Sequence, residues 1–281
     1  VDSDAGIYNK RKHNKLKYFK NSTQTENYLN KMQKKYECVI LMDVLEHTDK
    51  FLKLFNLQLN RITLSNNFYY HVVRTLVNYN IDLVLDIGAN EGQFAKKIMQ
   101  YGYNKEILSF EPIKSVHKQL LINSKKYQNW KIYKSCAFGK STGTKKINIS
   151  KNTVSSSFLK INKNHLDIEP NAEFVGKENV KLLSLNNFLN KKKFRSKKIF
   201  IKIDTQGYEK NIILGGNKVL NKVTGIMIET AISKVYKSEA IYLDMIKLMK
   251  KFGFKIWSIE RGFTNKKTGQ VLQMDIIFII K

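Results

Sequence analysis

The chain of 281 residues is poor in the residue types that mark several classes of protein. Its only two cysteines, Cys38 and Cys136, lie far apart in sequence, so neither a disulfide framework nor a cysteine metal site is expected. No apolar run approaches the roughly 18 residues that a membrane span needs, and the first residues show no signal-peptide pattern. These absences favour a cytoplasmic protein in a reducing compartment.

Arginine is also scarce, although the chain carries a net charge of +27. Of the 50 basic residues only 5 are arginine, the residue type that recognises phosphates and bases through paired hydrogen bonds. A dedicated nucleic-acid reader should use more of it. The excess of lysine, with many asparagines and isoleucines, is what an AT-rich genome would impose on a solvated surface. An anionic partner, such as an acidic glycan or a lipid-linked sugar phosphate, is the alternative, with basic runs at residues 10–20 and 191–198 as its contacts.

The most informative stretch present is residues 83–94. An apolar run ends at Asp86, and Gly88 and Gly92 follow before a segment with a helical pattern. A strand, a tight turn and a helix N-terminus bring backbone close to a bound nucleoside. Glu91 lies where a pyrophosphate would bind and would repel it, so the turn favours a nucleoside without phosphates.

A second acidic residue supports this interpretation. Glu111, followed by Pro112, ends the next apolar run about twenty residues downstream. In a nucleoside-binding βαβ unit, an acidic side chain at this position accepts hydrogen bonds from the ribose hydroxyls. S-adenosylmethionine is the common ligand with a nucleoside and no phosphate, and it is therefore the predicted cofactor.

Strands and helices alternate after residue 66, which predicts a mostly parallel sheet with helices on both faces. The predicted strands lie near residues 82–87, 106–110, 131–136, 198–204, 223–229, 254–260 and 271–280. The predicted helices lie near residues 66–80, 91–101, 113–125, 207–214 and 238–252. The last strand follows its neighbour without a helix, so it should pair antiparallel near one edge. Residues 143–184 form a predicted insertion, with an added strand over 143–150 and a loop over 151–179.

Five ordered blocks give a more specific resemblance. They are residues 86–94, Ser109-Phe110-Glu111-Pro112, Ser155-Ser156-Ser157, Lys202-Ile203-Asp204-Thr205-Gln206-Gly207-Tyr208-Glu209 and Gln273-Met274-Asp275-Ile276-Ile277-Phe278. Together they resemble the FkbM family of S-adenosylmethionine-dependent methyltransferases, over roughly residues 70–281. The resemblance implies a Rossmann-like fold with seven strands and methylation of hydroxyls, often on sugars of cell-surface polysaccharides. The cofactor contacts that it implies are Asp86, Gly88, Asn90, Gly92, Phe94, Glu111, Pro112 and Ala137.

One departure from the family pattern concerns the acceptor. The family usually carries Leu-Asp-Asp before its fourth core strand, where this chain has Leu185-Asn186-Asn187. If the first aspartate handles substrate, the inference about the acceptor weakens. If it caps a helix, asparagine serves nearly as well.

Acidic side chains at predicted strand ends are the candidates for catalysis. Asp204 and Glu229 should face the same crevice as Asp86 and Glu111, because ligands bind at the carboxyl ends of strands in open α/β sheets. A positioned base helps to remove the proton of a hydroxyl acceptor, and the candidates are Asp204, Glu209 and Glu229.

Other roles for neighbouring residues stay open at this point. Asp204 or Thr205 could instead cap the following helix. His165, in the long loop, is an outside candidate for the base, and residues 155–157 could line the acceptor site or form a turn.

Residues 1–65 are predicted to be a basic N-terminal extension to a methyltransferase domain over 66–281. A strand is expected over residues 36–42, and Asp43-Val44-Leu45-Glu46-His47 resembles a segment after the fourth strand of a different methyltransferase group. The extension could therefore be the remnant of an upstream methyltransferase domain, and the start at Val1 is compatible with a fragment of a longer chain. Asp43, Glu46 and His47 could also share a helical face and bind a metal, although a solvated face is the simpler interpretation.

The sequence therefore predicts an S-adenosylmethionine-dependent O-methyltransferase that acts on a hydroxyl of a sugar in a cell-surface polysaccharide or glycolipid. Two alternatives remain: an RNA-directed methyltransferase, and a degenerate methyltransferase that binds the cofactor without acceptor chemistry.

Overall fold

The computed structural model describes residues 63–280, which fold around a seven-stranded sheet. In chain order the strands are β1 Leu83–Ile87, β2 Glu106–Phe110, β3 Trp130–Ile132, β4 Ala137–Phe138, β5 Gly143–Ser150, β6 Phe174–Leu183, β7 Ile199–Ile203, β8 Gly225–Ala231, β9 Phe254–Arg261 and β10 Gln273–Ile280. The helices are α1 Phe68–Asn78, α2 Gln93–Gln100, α3 Lys114–Ser124, α4 Lys163–Leu166, α5 Leu185–Leu189, α6 Glu209–Leu214 and α7 Tyr242–Lys251. Short 3₁₀ turns occur at Pro170–Ala172, Lys192–Phe194 and Leu220–Lys222.

The order of strands in the large sheet is β3-β2-β1-β7-β8-β10-β9. All neighbours pair in parallel except β10, which lies antiparallel between β8 and β9. The predicted Rossmann-like sheet, with one antiparallel strand near its edge, is therefore confirmed.

The central strands β1 and β7 are buried along their whole length, as expected for parallel strands covered on both faces. Alternate side chains enter two different cores. Leu85 and Ile201 pack with α5, α6 and α7 on one face, whereas Val84 and Phe200 pack with α1 and α2 on the other. Helix α1 covers this second face close to the carboxyl ends of the strands, where the candidate site lies.

The predicted insertion forms a second sheet, in the order β4-β6-β5. The strand expected over residues 143–150 is present, but the loop expected over 151–179 is wrong in part. Strand β6 begins at Phe174, and Lys163–Leu166 forms a helical turn. Strand β6 is mostly exposed and carries polar residues at its centre, so its sequence lacks the apolar alternation that marks a half-buried strand. Its pairing with β5 defines it instead.

The third strand is also shorter than predicted. Strand β3 ends at Ile132 rather than at residue 136, and the chain then leaves the large sheet. Ala137 consequently belongs to β4 in the second sheet and not to the end of β3. The predictions for the first 62 residues, including the strand over 36–42 and the Asp43–His47 segment, concern residues outside the described part of the chain. Within residues 63–280, no helix is long and apolar enough to cross a membrane.

Candidate functional site

The carboxyl ends of the parallel strands β1, β2, β7 and β8, together with the amino end of the antiparallel strand β10, surround a cavity of about 390 Å³. The N-terminal end of α1 and the insertion complete its walls. The cavity is lined by eight of the eleven residues that the sequence nominated for the site: Gly88, Asn90, Phe94, Glu111, Pro112, Ala137, Asp204 and Glu229. Asp86, Gly92 and Glu209 do not line it.

The turn after β1 is shaped by two glycines with different tasks. Gly88 has φ +76°, and a Cβ there would lie 1.9 Å from the backbone oxygen of Asp204. Only glycine lets the β1 and β7 ends approach so closely. Gly92 has φ +88°, and a Cβ there would lie 2.1 Å from the ring of Trp130. Gly92 is therefore needed for packing behind the cavity wall.

Glu111 is buried at the end of β2 and accepts two backbone hydrogen bonds. Its Oε2 accepts the N–H of Asn90 at 3.0 Å, and its Oε1 accepts the N–H of Ile113 at 2.9 Å. Burial raises the pKa of Glu111 to about 7 against the lowering effect of these two bonds. A carboxylate oxygen has two acceptor sites, so each oxygen keeps one for a further donor. Ile113, Ala137 and the neighbouring Phe138 give the cavity an apolar wall beside this carboxylate.

Asp86 lies behind the cavity, fully buried in β1. Its Oδ2 accepts the hydroxyl of Ser109 at 3.0 Å, and its Oδ1 lies 3.3 Å from Nζ of Lys202. Because its carboxylate faces protein groups, Asp86 holds the strand ends together.

Lys202 is a buried cation that the sequence did not single out for a role. Its Nζ donates to the carbonyl of Gly88 at 2.9 Å and lies 3.5 Å from Oδ2 of Asp204, besides its pairing with Asp86. Burial alone would lower the pKa of Lys202, but Asp204 and Asp86 outweigh it and raise the pKa. Lys202 therefore stays charged and ties the β1 turn to the end of β7. The signal in the sequence was a lysine inside an apolar strand, two positions before Asp204.

Gln206 connects two carboxyls of the site. Its amide nitrogen donates to Oδ1 of Asp204 at 2.8 Å and to Oε2 of Glu229 at 2.9 Å, while its carbonyl accepts the hydroxyl of Tyr236 at 2.9 Å. The amide nitrogen of Gln273 donates a second hydrogen bond to the same Oε2 of Glu229, also at 2.9 Å. Burial raises the pKa of Glu229 well above its ordinary value, and Asp204 adds to the effect.

The alternative role of Asp204 or Thr205 as a helix cap is not observed. Helix α6 begins after Tyr208, with no side-chain cap. Thr205 instead donates its backbone N–H and its hydroxyl to Oε1 of Glu209, at 2.8 and 3.0 Å. Gly207 donates to the same oxygen at 3.1 Å. Glu209 therefore shapes the loop after β7 from behind the cavity.

His165 also lies away from the cavity. It is buried in α4 against the ring of Phe263, with 5.3 Å between centroids, and burial lowers its pKa.

Among the lining residues that the sequence analysis did not predict for the site, Asp275 and Tyr69 bear most on its chemistry. Asp275 projects from β10, directly opposite Glu229 in the register of β8. Tyr69 contributes from the first turn of α1. Asp275 lies within one of the five family blocks. An acidic residue among apolar neighbours does not indicate a role, however, until the strand order is known. Tyr69 lies in a helix far from every motif.

The insertion supplies the remaining wall. Ser156 and Phe158 line the cavity, and the hydroxyl of Ser157 donates to the backbone oxygen of Gln206 at 2.6 Å. The serine run thus joins the insertion to the loop after β7.

The Leu185-Asn186-Asn187 departure lies elsewhere. Ser184 caps α5 through a bond from the N–H of Asn187, and Asn187 donates to Thr142 outside the cavity.

Comparison with known proteins identifies the family. The methyltransferase FkbM domain matches residues 86–256, while no curated protein gives a significant match. Solved structures with similar folds include the methyltransferase domain of a bacterial Hen1, with 12% identity, a TM-score of 0.43, and coverage of 78% of this chain and 99% of that one. Magnesium protoporphyrin IX methyltransferase from Synechocystis, solved with bound S-adenosylmethionine, shares 10% identity with a TM-score of 0.43 and coverage of 76% and 78%. The chain belongs to the FkbM methyltransferase family.

Proposed function

We propose that the protein is an S-adenosylmethionine-dependent O-methyltransferase that methylates a hydroxyl of a sugar in a cell-surface polysaccharide or glycolipid. The observation that carries the proposal is that one cavity joins the Glu111 wall to the carboxyls of Asp204, Glu229 and Asp275. Its volume of about 390 Å³ falls within the roughly 300–1,000 Å³ of ligand pockets. The cytoplasmic location stays a prediction from the sequence.

The residues at the β1 and β2 ends fit the proposed cofactor. Each oxygen of Glu111 can still accept a hydrogen bond from a ribose hydroxyl. Ala137 and Phe138 offer an apolar surface for the adenine ring of the cofactor. Gly88 and Asn90 bring backbone to the cavity edge where the amino-acid part would bind. Bound S-adenosylmethionine would supply a methyl group already activated on a sulfonium.

The residues at the β7, β8 and β10 ends fit a neutral acceptor. Asp204, Glu229 and Asp275 present carboxyl oxygens to which hydroxyl groups can donate. With the methyl group activated, the protein mainly has to align the acceptor oxygen and take up its proton. The same carboxyls would repel a phosphate, which argues against an anionic group at the reacting centre. The net charge of +27 keeps an RNA acceptor as the second candidate.

Calorimetric titration with S-adenosylmethionine tests the cofactor. Replacement Glu111→Gln should weaken binding at least about tenfold, since a ribose hydroxyl that donates to an ionised carboxylate gains roughly 1.5–3 kcal/mol. Glu106→Gln is the matched control, because Glu106 begins the same strand at its far end and pairs with Lys131 at the surface. Wild-type protein that binds neither S-adenosylmethionine nor S-adenosylhomocysteine would contradict the proposal.

A gel shift with single-stranded RNA at physiological salt tests the second candidate. Binding that survives physiological salt would favour RNA over a sugar, because binding through phosphates alone weakens steeply as salt rises.

A further inference from the structure

The three carboxyls in the acceptor half of the cavity differ in how they are held. Asp204 pairs with Lys202 and accepts a hydrogen bond from Gln206. Glu229 accepts two amide hydrogen bonds. Within the described residues, no hydrogen bond or ion pair reaches the carboxyl of Asp275, although it lines the same cavity. Its acceptor sites are therefore free for a ligand.

The sheet places Asp275 in the middle of a row of side chains on one face. It lies opposite Glu229 of β8 and opposite Glu260 of β9. Residues directly opposite each other in an antiparallel pair project to the same side of the sheet. The start of α1, with Tyr69, covers that side of the sheet. Burial raises the pKa of Tyr69, and the charge of the nearby Asp275 raises it further. Asp275 thus lines the cavity on the face that α1 covers, where it is partly buried.

The charged groups around Asp275 set its ionisation. Burial raises its pKa to about 7, with a further contribution from Asp204 and a smaller one from Glu260, while Lys202 lowers it. Burial and the neighbouring carboxylates raise the pKa of Glu229 well above its ordinary value. Like charges in one site rarely ionise together. An ionised Asp275 raises the pKa of Glu229 and so favours the protonated form of Glu229. A base whose pKa lies near the working pH is the most effective.

We propose that Asp275 is the general base of methyl transfer, with Glu229 as the neighbouring protonated carboxyl that Gln206 and Gln273 hold in place. This assignment rests on the proposed function. The acceptor oxygen forms the new O–C bond as the C–S bond breaks, and sulfur keeps the bonding electron pair. The hydroxyl proton passes to the carboxylate of Asp275, which later returns it to solvent.

Radiolabelled methyl transfer tests the assignment, with S-adenosylmethionine as donor and a panel of methyl glycosides as acceptors. Asp275→Asn preserves shape and removes the base, so the transfer rate should fall about 100-fold or more with little change in cofactor affinity. The wild-type rate should rise with pH through about 7, where Asp275 ionises, and this rise should disappear in the variant.

Glu260→Gln is the matched control, because Glu260 faces Asp275 but does not line the cavity. It should keep the maximal rate and move the midpoint of the pH profile downward, since one repelling charge is removed. A merely structural role for Asp275 would not produce that shift.

Infrared titration of the carboxyl band provides a readout without an acceptor. Wild-type protein should show several carboxyls that titrate near pH 7, Glu111 and Asp275 among them, and Asp275→Asn should reduce the amplitude of that titration by one carboxyl. An unchanged titration, or an unchanged transfer rate in Asp275→Asn, overturns the assignment. A wild-type protein that methylates none of the glycosides contradicts the sugar acceptor of the proposed function, and the infrared result then tests Asp275 by itself.

Discussion

The ends of β1 and β2 differ from the ends of β8 and β10 in how their acidic side chains are satisfied. Asp86 is paired with Ser109 and Lys202, and both oxygens of Glu111 accept backbone N–H groups. At the other end of the cavity, both bonds to Glu229 reach one oxygen, and Asp275 has no hydrogen-bond partner within residues 63–280.

This difference distinguishes carboxyls that hold the cavity wall in place from a carboxyl that is available to react. Carboxyls whose two oxygens both have a protein partner fix the geometry of the wall, because each partner would be left unsatisfied if the wall moved. A carboxyl that lacks partners inside a folded protein costs free energy and is a candidate for function. The comparison predicts that changes at the first end act mainly on stability and cofactor binding, and that Asp275 at the second end acts mainly on catalysis.

Lys202→Met should destabilise the protein more than any other change at the first end. The substitution leaves the fully buried Asp86 without its cation, and removing one partner of a buried ion pair costs about 3–5 kcal/mol in the free energy of unfolding. Urea denaturation at pH 7 measures the loss. Lys105→Met is the control, because Lys105 pairs with Asp82 at the surface and should cost under about 1 kcal/mol. Similar losses in the two variants would show that the buried pairing has no special weight.

Gly88→Ala should have the next largest effect. A Cβ would collide with the backbone oxygen of Asp204, and φ of +76° adds strain, so the unfolding free energy should fall by about 2–4 kcal/mol. Gly102→Ala tests the contribution of strain alone, because Gly102 has φ +100° with no atom within 4 Å of the added Cβ. It should cost roughly 1–2 kcal/mol. An equal loss at both positions would mean that the close approach of β1 and β7 is not tightly packed.

The sequence predicted the large sheet because its strands are buried and strongly apolar, and their acidic ends are local features. It could not distinguish Asp86 from Asp204, since each ends or follows an apolar run. The structure distinguishes them by position: Asp86 lies within β1 with its side chain in the interior, whereas Asp204 lies one residue beyond β7 at the cavity.

The parts that the sequence missed depend on contacts between distant segments. Lys202 and Asp275 acquire roles only through strand order, which places one between two carboxylates and the other opposite Glu229. Strand β6 is exposed and polar, so only its pairing with β5 reveals it. Local pattern thus located the β1 and β2 end of the cavity together with Asp204 and Glu229, whereas Lys202 and Asp275 required tertiary structure.

The smallest expected effect compares Glu229→Gln with Glu111→Gln as a function of pH. Both carboxyls have a raised pKa in the folded state, so each lowers stability as pH rises from about 4.5 through its folded pKa. Gln at 229 removes this cost and can still accept both amide bonds through its carbonyl oxygen. Its stability relative to wild type should therefore improve between pH 5 and pH 8 in urea denaturation.

Gln at 111 should lose stability at pH 5, where little of the electrostatic relief is present. Both oxygens of Glu111 accept backbone N–H groups, and an amide offers only one acceptor oxygen, so the N–H of Asn90 or Ile113 would face an NH₂ group. An unpaired buried donor costs about 1–3 kcal/mol. This cost exceeds the relief at pH 5, which is under about 1 kcal/mol, whereas at pH 8 a folded pKa of about 7 makes the relief about 3 kcal/mol and the two nearly cancel. If the two variants followed the same curve with pH, the spare oxygen of Glu229 would have no energetic meaning, and the contrast between the two ends of the cavity would rest on Asp275 alone.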